Sequence, residues 1–234
     1  MEIPKEGPLG SAVVAAIHSG DVAQLERLLA ENAGLATARI VDTKGVRRTM
    51  LNTVADWPGH FPNGAATVAV LIAAGADPDA AVIGGNAPET PLHGAASSDD
   101  VAVLDALLDG GADIEAPGAI FTGGSAMSDA VIFANWNCAR RLLERGARTT
   151  LSQSAALGLL DRVEKFCSGS PTPDEITTSF WHACRGGQRW TAEYLLLRGA
   201  DLNWVGYDRL TPLGAARKSG DREFIEWLVG LGAS

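Results

Sequence analysis

The chain is 234 residues long, 46% apolar and 20% charged, with a formal charge of −9 and a pI near 4.9. That length allows a substantial buried core. The acidity argues against a nucleic-acid partner, which calls for a basic stripe; the longest basic runs here are the pairs Arg47–Arg48 and Arg140–Arg141. In chain order, residues 1–6 show no basic stretch leading into an apolar one, so no signal peptide is expected. A first helix pair runs from Val13-Val14-Ala15-Ala16 to Leu28-Leu29, with Glu26, Arg27, Glu31 and Asn32 making its outer side polar.

A second pair begins at Thr49-Met50-Leu51-Asn52-Thr53-Val54-Ala55 and closes at Leu71-Ile72-Ala73-Ala74-Gly75-Ala76-Asp77. Its two helices are separated by the loop 56–64, which holds two prolines, two glycines and the rings of Trp57, His60 and Phe61. The apolar stretch 65–76 is too short to span a bilayer, which takes about 20 residues. The third pair opens at Thr90-Pro91-Leu92-His93-Gly94-Ala95-Ala96 and closes at Leu107-Leu108-Asp109-Gly110-Gly111-Ala112-Asp113. The fourth runs from Ser125-Ala126-Met127-Ser128-Asp129-Ala130 to Leu142-Leu143-Glu144-Arg145-Gly146-Ala147. A shortened fifth pair, Ser154–Gly158 and Val163–Cys167, ends in residues 168–173, whose prolines predict no helix there. The sixth spans Thr178-Ser179-Phe180-Trp181-His182-Ala183 to Leu195-Leu196-Leu197-Arg198-Gly199-Ala200-Asp201. The last runs from Thr211-Pro212-Leu213-Gly214-Ala215-Ala216 to Leu228-Val229-Gly230-Leu231-Gly232-Ala233.

The closing leucines recur after 36, 35, 53 and 33 residues, the long gap holding the shortened unit. Thr before Pro is an N-cap with proline in the first turn, where a missing N–H costs nothing. Gly after Leu-Leu-x-x supplies a left-handed C′ residue. The Thr-Pro-Leu-His phrase at 90–93, with its weaker copies, resembles the T-P-L-H-x-A signature of the ankyrin repeat, whose period is about 33 residues. The chain is identified as a divergent, bacterial-type single-domain member of that family. The resemblance implies an all-α solenoid of about seven helix–turn–helix units with β-hairpin fingers and a concave face. The units are expected near residues 9–37, 45–77, 88–113, 123–148, 150–169, 176–201 and 209–234, within one domain of residues 1–234.

In the ankyrin family the fingers and the exposed side of each first helix form the ligand surface. Carried over, this implies a groove lined by Asp56, Trp57, His60, Phe121, Phe133, Arg185, Trp204 and Tyr207. His93 is expected to bond backbone between adjacent fingers, as the family's histidine does. The long fingers 80–87 and 116–124 carry Val82, Ile83, Ile120 and Phe121, which either pack on each other or contact a ligand. The loop 56–64 is either a cover for the stack or a wall of the site. Trp190 and Trp227 have core spacing, whereas Trp57, Trp181 and Trp204 suit the ligand side.

Where the family usually has Leu, just before the Ala-Ala pair, this chain has Ala15, Thr53, Gly94, Asp129, Ser154, His182 and Ala215. Such residues would hollow the groove, with Gly94 and Ser154 as its floor. Two functions follow: a binding module for a protein segment or small ligand, or an acid–base enzyme of isomerase, hydratase or cyclase type using Asp129 and His182. No phosphate loop, nucleophile elbow or zinc motif is present, so no cofactor and no metal are expected. Cys138, Cys167 and Cys184 are widely spaced and read as free thiols in a reducing cytoplasm. The expected state is a cytoplasmic monomer without nucleic-acid or membrane partners.

Overall fold

A computed structural model describes residues 1–234 as fourteen α-helices in seven consecutive pairs, with one small sheet. The helices fall into two compact units, Met1–Ala147 and Arg148–Ser234. The first holds α1 (Pro8–Ser19), α2 (Val22–Glu31), α3 (Met50–Ala55), α4 (Gly64–Ala73), α5 (Pro91–Ser97), α6 (Val101–Asp109), α7 (Ala126–Ile132) and α8 (Trp136–Glu144). The second holds α9 (Leu151–Ala156), α10 (Leu160–Cys167), α11 (Pro173–Arg185), α12 (Arg189–Leu196), α13 (Pro212–Arg217) and α14 (Arg222–Gly230). First helices pack on first helices and second on second. Thus α3 lies against α1 and α5, α5 against α7, and α4 against α2 and α6, while in the second unit α11 lies against α9 and α13.

Threonine caps hold these elements in place. Thr49 accepts the Asn52 amide at 3.1 Å, Thr172 the Glu175 amide and Thr211 the Gly214 amide, each at 3.2 Å. At the other end, Gly75, Gly111, Gly146, Gly199 and Gly232 all have φ between 88° and 97°. The alanine after each returns its N–H to the closing leucine carbonyl, as in Ala76 to Leu71 and Ala112 to Leu107, both 3.0 Å. Those leucines (71, 107, 142, 195 and 228) are fully buried, each worth roughly 1.5–3 kcal/mol of apolar transfer.

Small residues set the spacing of the first helices. A β-carbon placed on Gly94 would stand 2.9 Å from the Ala55 carbonyl oxygen. The family's usual leucine therefore has no room there, and Gly94 marks close approach of α5 to α3 rather than the floor of a hollow. Ser154 does not open one either: it is fully buried and its hydroxyl lies 2.8 Å from that of Thr149.

Three further expectations change. Only residues 39–49 form a paired hairpin, β2 (Arg39–Val41) antiparallel to β3 (Arg47–Thr49), with β1 (Glu2–Pro4) parallel to β2. The finger at 82–89 contributes a single bridge, Ile83 to Arg47, and the later fingers are turns. The sixth pair begins at Pro173 rather than 176, so Thr178 lies inside α11; Thr172 and Glu175 form a full capping box, and Pro173 sits in the first turn. Trp190 is 72% exposed, not core, because the buried stripe of α12 is Thr191, Ala192 and Leu195 and position 190 falls off it.

Candidate functional site

The loop between α3 and α4 is pinned on both sides. The His60 amide donates to Asp100 Oδ2 at 2.8 Å, and its Nε2 lies 2.9 Å from the Ser98 carbonyl. Phe61 stacks on His18 with ring centroids 4.2 Å apart, and the Asn63 side chain donates to the Gly20 carbonyl at 2.9 Å. His60 and Phe61 are thus committed to joining the first three helix pairs. Trp57 is left 81% exposed at the loop's tip. Asp56 is exposed, accepts the Trp57 amide at 3.0 Å and stands 3.8 Å from Arg48 Nε.

His93 does what the family resemblance implies. Buried completely, it places Nδ1 2.9 Å from the Thr90 hydroxyl and Nε2 3.1 Å from the Gly124 carbonyl of the next finger. That finger carries Phe121, 69% exposed, whose ring centroid is 6.0 Å from that of Phe133, 42% exposed at the end of α7. Ile120 is half-buried and donates its amide to Asp129 Oδ1 at 3.3 Å. Asp129 itself has no exposed surface, and its Oδ2 has no hydrogen-bond partner. Burial, together with the charge of Glu89, pushes the Asp129 carboxyl up to about 7. Glu89, just before the α5 cap, is raised as well, by its own burial and then by Asp56, with Arg48 opposing. On α5 the Ser97 hydroxyl is a second buried oxygen without a partner.

Glu89 does not stand out in the sequence, since it lies outside the repeated phrases, whereas Ser97 directly follows the Ala95-Ala96 pair, where the family resemblance implies a ligand-facing position. The charge of the molecule is also placed unevenly. Residues 1–147 hold nine Lys and Arg against eighteen Asp and Glu, residues 148–234 ten against ten, so the first unit carries the entire formal charge.

In the second unit, Trp181 is 1% exposed and donates from its indole to the Leu210 carbonyl at 2.9 Å, a core position rather than a ligand-facing one. Tyr207, 56% exposed, leans on Trp181, His182 and Trp204 with centroid separations of 5.3, 5.6 and 6.3 Å. Trp204 is half-buried, and its ring and that of Trp181 fill the space a side chain on Gly206 would need. Arg185 donates to Asp208 at 3.2 Å and lies 5.6 Å from the Trp181 ring centroid.

His182 is 8% exposed, and its Nδ1 makes no hydrogen bond. Burial first and Arg185 second pull its pKa down to about 4. Between 6.5 and 4 the unfolded chain takes up a proton that the folded imidazole refuses, so stability is lost as the pH falls through that window. Urea unfolding at about pH 7 and pH 4.5 should show a loss that shrinks by about 3 kcal/mol at most in His182→Gln. An unchanged difference would assign the acid sensitivity elsewhere.

Asp129 and His182 therefore belong to different units, each with its own neighbours. Two cavities lie in the first unit. One is an open depression of about 460 Å³ bordered by His60, Phe61, Asp100 and Val103; the other, of about 40 Å³, is bordered by Lys5, His18, Asp42, Arg48 and Asp56. Neither takes in Asp129 or His182. No three His, Cys, Asp or Glu side chains are grouped to hold a metal ion, and no helix is long and apolar enough to cross a membrane.

An ankyrin-repeat family model matches residues 89–119. An ankyrin repeat and KH domain-containing protein of Caenorhabditis briggsae is 30% identical over 141 residues, and the related protein mask-1 of Caenorhabditis elegans is 30% identical over 140. Each match takes in 60% of this chain and 5% of the relative, so the chain spans about a twentieth of the length of these relatives. Among solved structures, the human ASB11 ankyrin repeat domain aligns with a TM-score of 0.55 at 19% identity, covering 96% of this chain and 97% of that one. The ankyrin repeat domain of Bcl-3 aligns at 0.53 and 24%, covering 94% and 98%.

Proposed function

Because the chain is an ankyrin-repeat protein, we propose that it is a binding module holding a protein segment against the finger side of its first unit. Ankyrin-repeat domains generally mediate protein–protein interaction. The observation that carries the reading here is the pair Phe121 and Phe133, two rings in contact with each other and both still exposed to water. Exposed aromatics of this kind are common anchors of an interface. Trp57 adds a third exposed ring on the same unit, and Asp56 beside it supplies a polar rim. The exposed Tyr207 and the half-buried Trp204, with Arg185, offer a separate contact area on the second unit. Three unpaired cysteines, two of them buried, favour a reducing cytoplasm, and we take the chain to act there as a monomer.

A random-peptide display library panned against the purified chain tests this. Clones that bind should lose about tenfold or more in affinity against the double variant Phe121→Ala, Phe133→Ala. They should be indifferent to Trp190→Ala, which removes an exposed ring from a second helix. Failure to enrich any clone, or clones that lose affinity only with Trp190→Ala, would overturn the reading.

A further inference from the structure

We propose that the buried Asp129 carboxylate on α7, beside the exposed ring pair Phe121 and Phe133, receives the cationic side chain of a lysine or arginine from the bound segment. The inference rests on the segment-binding reading and names the chemistry of its partner. Four observations converge on it.

The first is that Asp129, without exposed surface, offers Oδ2 to nothing in the protein while Oδ1 is taken by the Ile120 amide. Buried carboxylate oxygens without a donor are rare in folded proteins and point to a missing partner. Second, the Ser97 hydroxyl is likewise buried and unpartnered, and it sits on α5, the helix that packs against α7. A guanidinium or ammonium group brings several N–H donors and no acceptor, which suits a lone carboxylate oxygen. Third, a second carboxylate of the same unit, Glu89, adds to burial in raising the Asp129 carboxyl, and Glu89 is itself raised by burial and by Asp56, with Arg48 opposing. The charge bearing on Asp129 is Glu89; the finger contributes only the Ile120 amide.

The fourth is complementarity on the larger scale. The first unit holds twice as many acidic as basic residues while the second is neutral, so a basic segment is drawn to the first. Phe121 follows Ile120, whose amide holds Asp129 Oδ1, and Phe133 donates its amide to the Asp129 backbone carbonyl at 2.9 Å, so both exposed rings are tied to Asp129. Their ring faces attract a cation, and the aliphatic stem of Lys or Arg covers their edges. Entry requires Phe121 to swing aside; its one ring neighbour is Phe133 and most of its surface is in water.

Two probes separate this inference from the reading beneath it. The first is Nα-acetyl-arginine amide, with Nα-acetyl-norleucine amide as the uncharged control, added in the millimolar range to protein carrying ¹³C in its aspartate carboxyls. The Asp129 resonance, identified by its loss in Asp129→Asn, should shift saturably with the cation and not with norleucine. Its titration midpoint should fall, a change in proton affinity of about tenfold. No shift, or an equal shift with both amides, means that the oxygens hold only buried water and overturns the inference. The second probe is the set of display clones that depend on Phe121 and Phe133. These should contain a Lys or Arg whose replacement by norleucine weakens binding, and Asp129→Asn with Glu89→Gln should weaken it about fivefold or more. Clones indifferent to both changes leave the segment-binding reading intact and overturn the cation site. A saturable Asp129 shift without any enriched clone does the reverse.

Discussion

Asp129→Asn is expected to stabilise the protein at pH 8 and to leave it almost unchanged at pH 4. In the fold the Asp129 carboxyl titrates near 7, whereas in the unfolded chain it titrates near the usual 3.8. Between those values the folded protein binds a proton that the unfolded chain has released, so stability falls as pH rises through the window. Above 7 both states are ionised and the deficit is constant. The gap corresponds to about 4 kcal/mol at most, fully present at pH 8. Asparagine keeps the shape and can still accept from Ile120, but it never carries the charge.

Carboxylates such as Asp42, held below their usual range by the Val46 amide, tilt the wild-type curve the other way. The informative quantity is therefore the difference between wild type and variant. Unfolding free energies from urea titrations across pH 4–8 should show that difference growing with pH. A flat difference would mean that Asp129 is solvated in solution and would remove the buried orphan oxygen on which the cation site depends. Net stabilisation by removing a charge is what a functional group held for a partner leads one to expect.

The repeat was legible because its determinants are local. Leu71, Leu107, Leu142, Leu195 and Leu228 each precede a glycine by a fixed step, and that step places the buried leucine and the left-handed cap on the same turn every time. The role of His93 was legible on the same ground, since its partners Thr90 and Gly124 are fixed by the family's finger geometry. The start of α11 was not, because Pro171 beside Pro173 looks like a break, while Thr172 and Glu175 close a capping box around the second proline. Gly94 was misjudged for a different reason. Whether a small residue leaves a hole depends on the backbone of the preceding repeat, here the Ala55 carbonyl, and no pattern within the repeat reports that distance. Asp129 stands out from its unusual position, but Glu89, whose charge bears on it, occupies no repeated phrase.

Trp181→Ala should be among the most damaging single changes in the second unit. The ring is 1% exposed and lies in a core with Phe180, Leu195, Leu213 and Phe224. Removing it deletes one of the largest buried side chains, and a cavity of that size is filled poorly by neighbours. The Leu210 carbonyl loses the indole donor, a further cost because that acceptor is partly buried. Together these should destabilise by about 3–5 kcal/mol, the range for a buried aromatic cut to alanine. The consequence reaches the surface too. Tyr207 and His182 both rest on Trp181, and Gly206 is glycine because the Trp181 and Trp204 rings occupy the space beside it. With the ring gone, water should reach His182, and its pKa should climb from about 4 toward its usual value of 6.5. Urea unfolding measures the first effect and an NMR titration of the His182 ring the second. Trp181→Phe separates them, retaining apolar cover for His182 while leaving the Leu210 carbonyl only the Gly206 amide as donor, so stability should drop by about 0.5–1.5 kcal/mol with little change in the titration. If Trp181→Ala leaves the His182 midpoint unmoved, burial by that ring is not what suppresses the proton, and the Arg185 guanidinium becomes the leading cause.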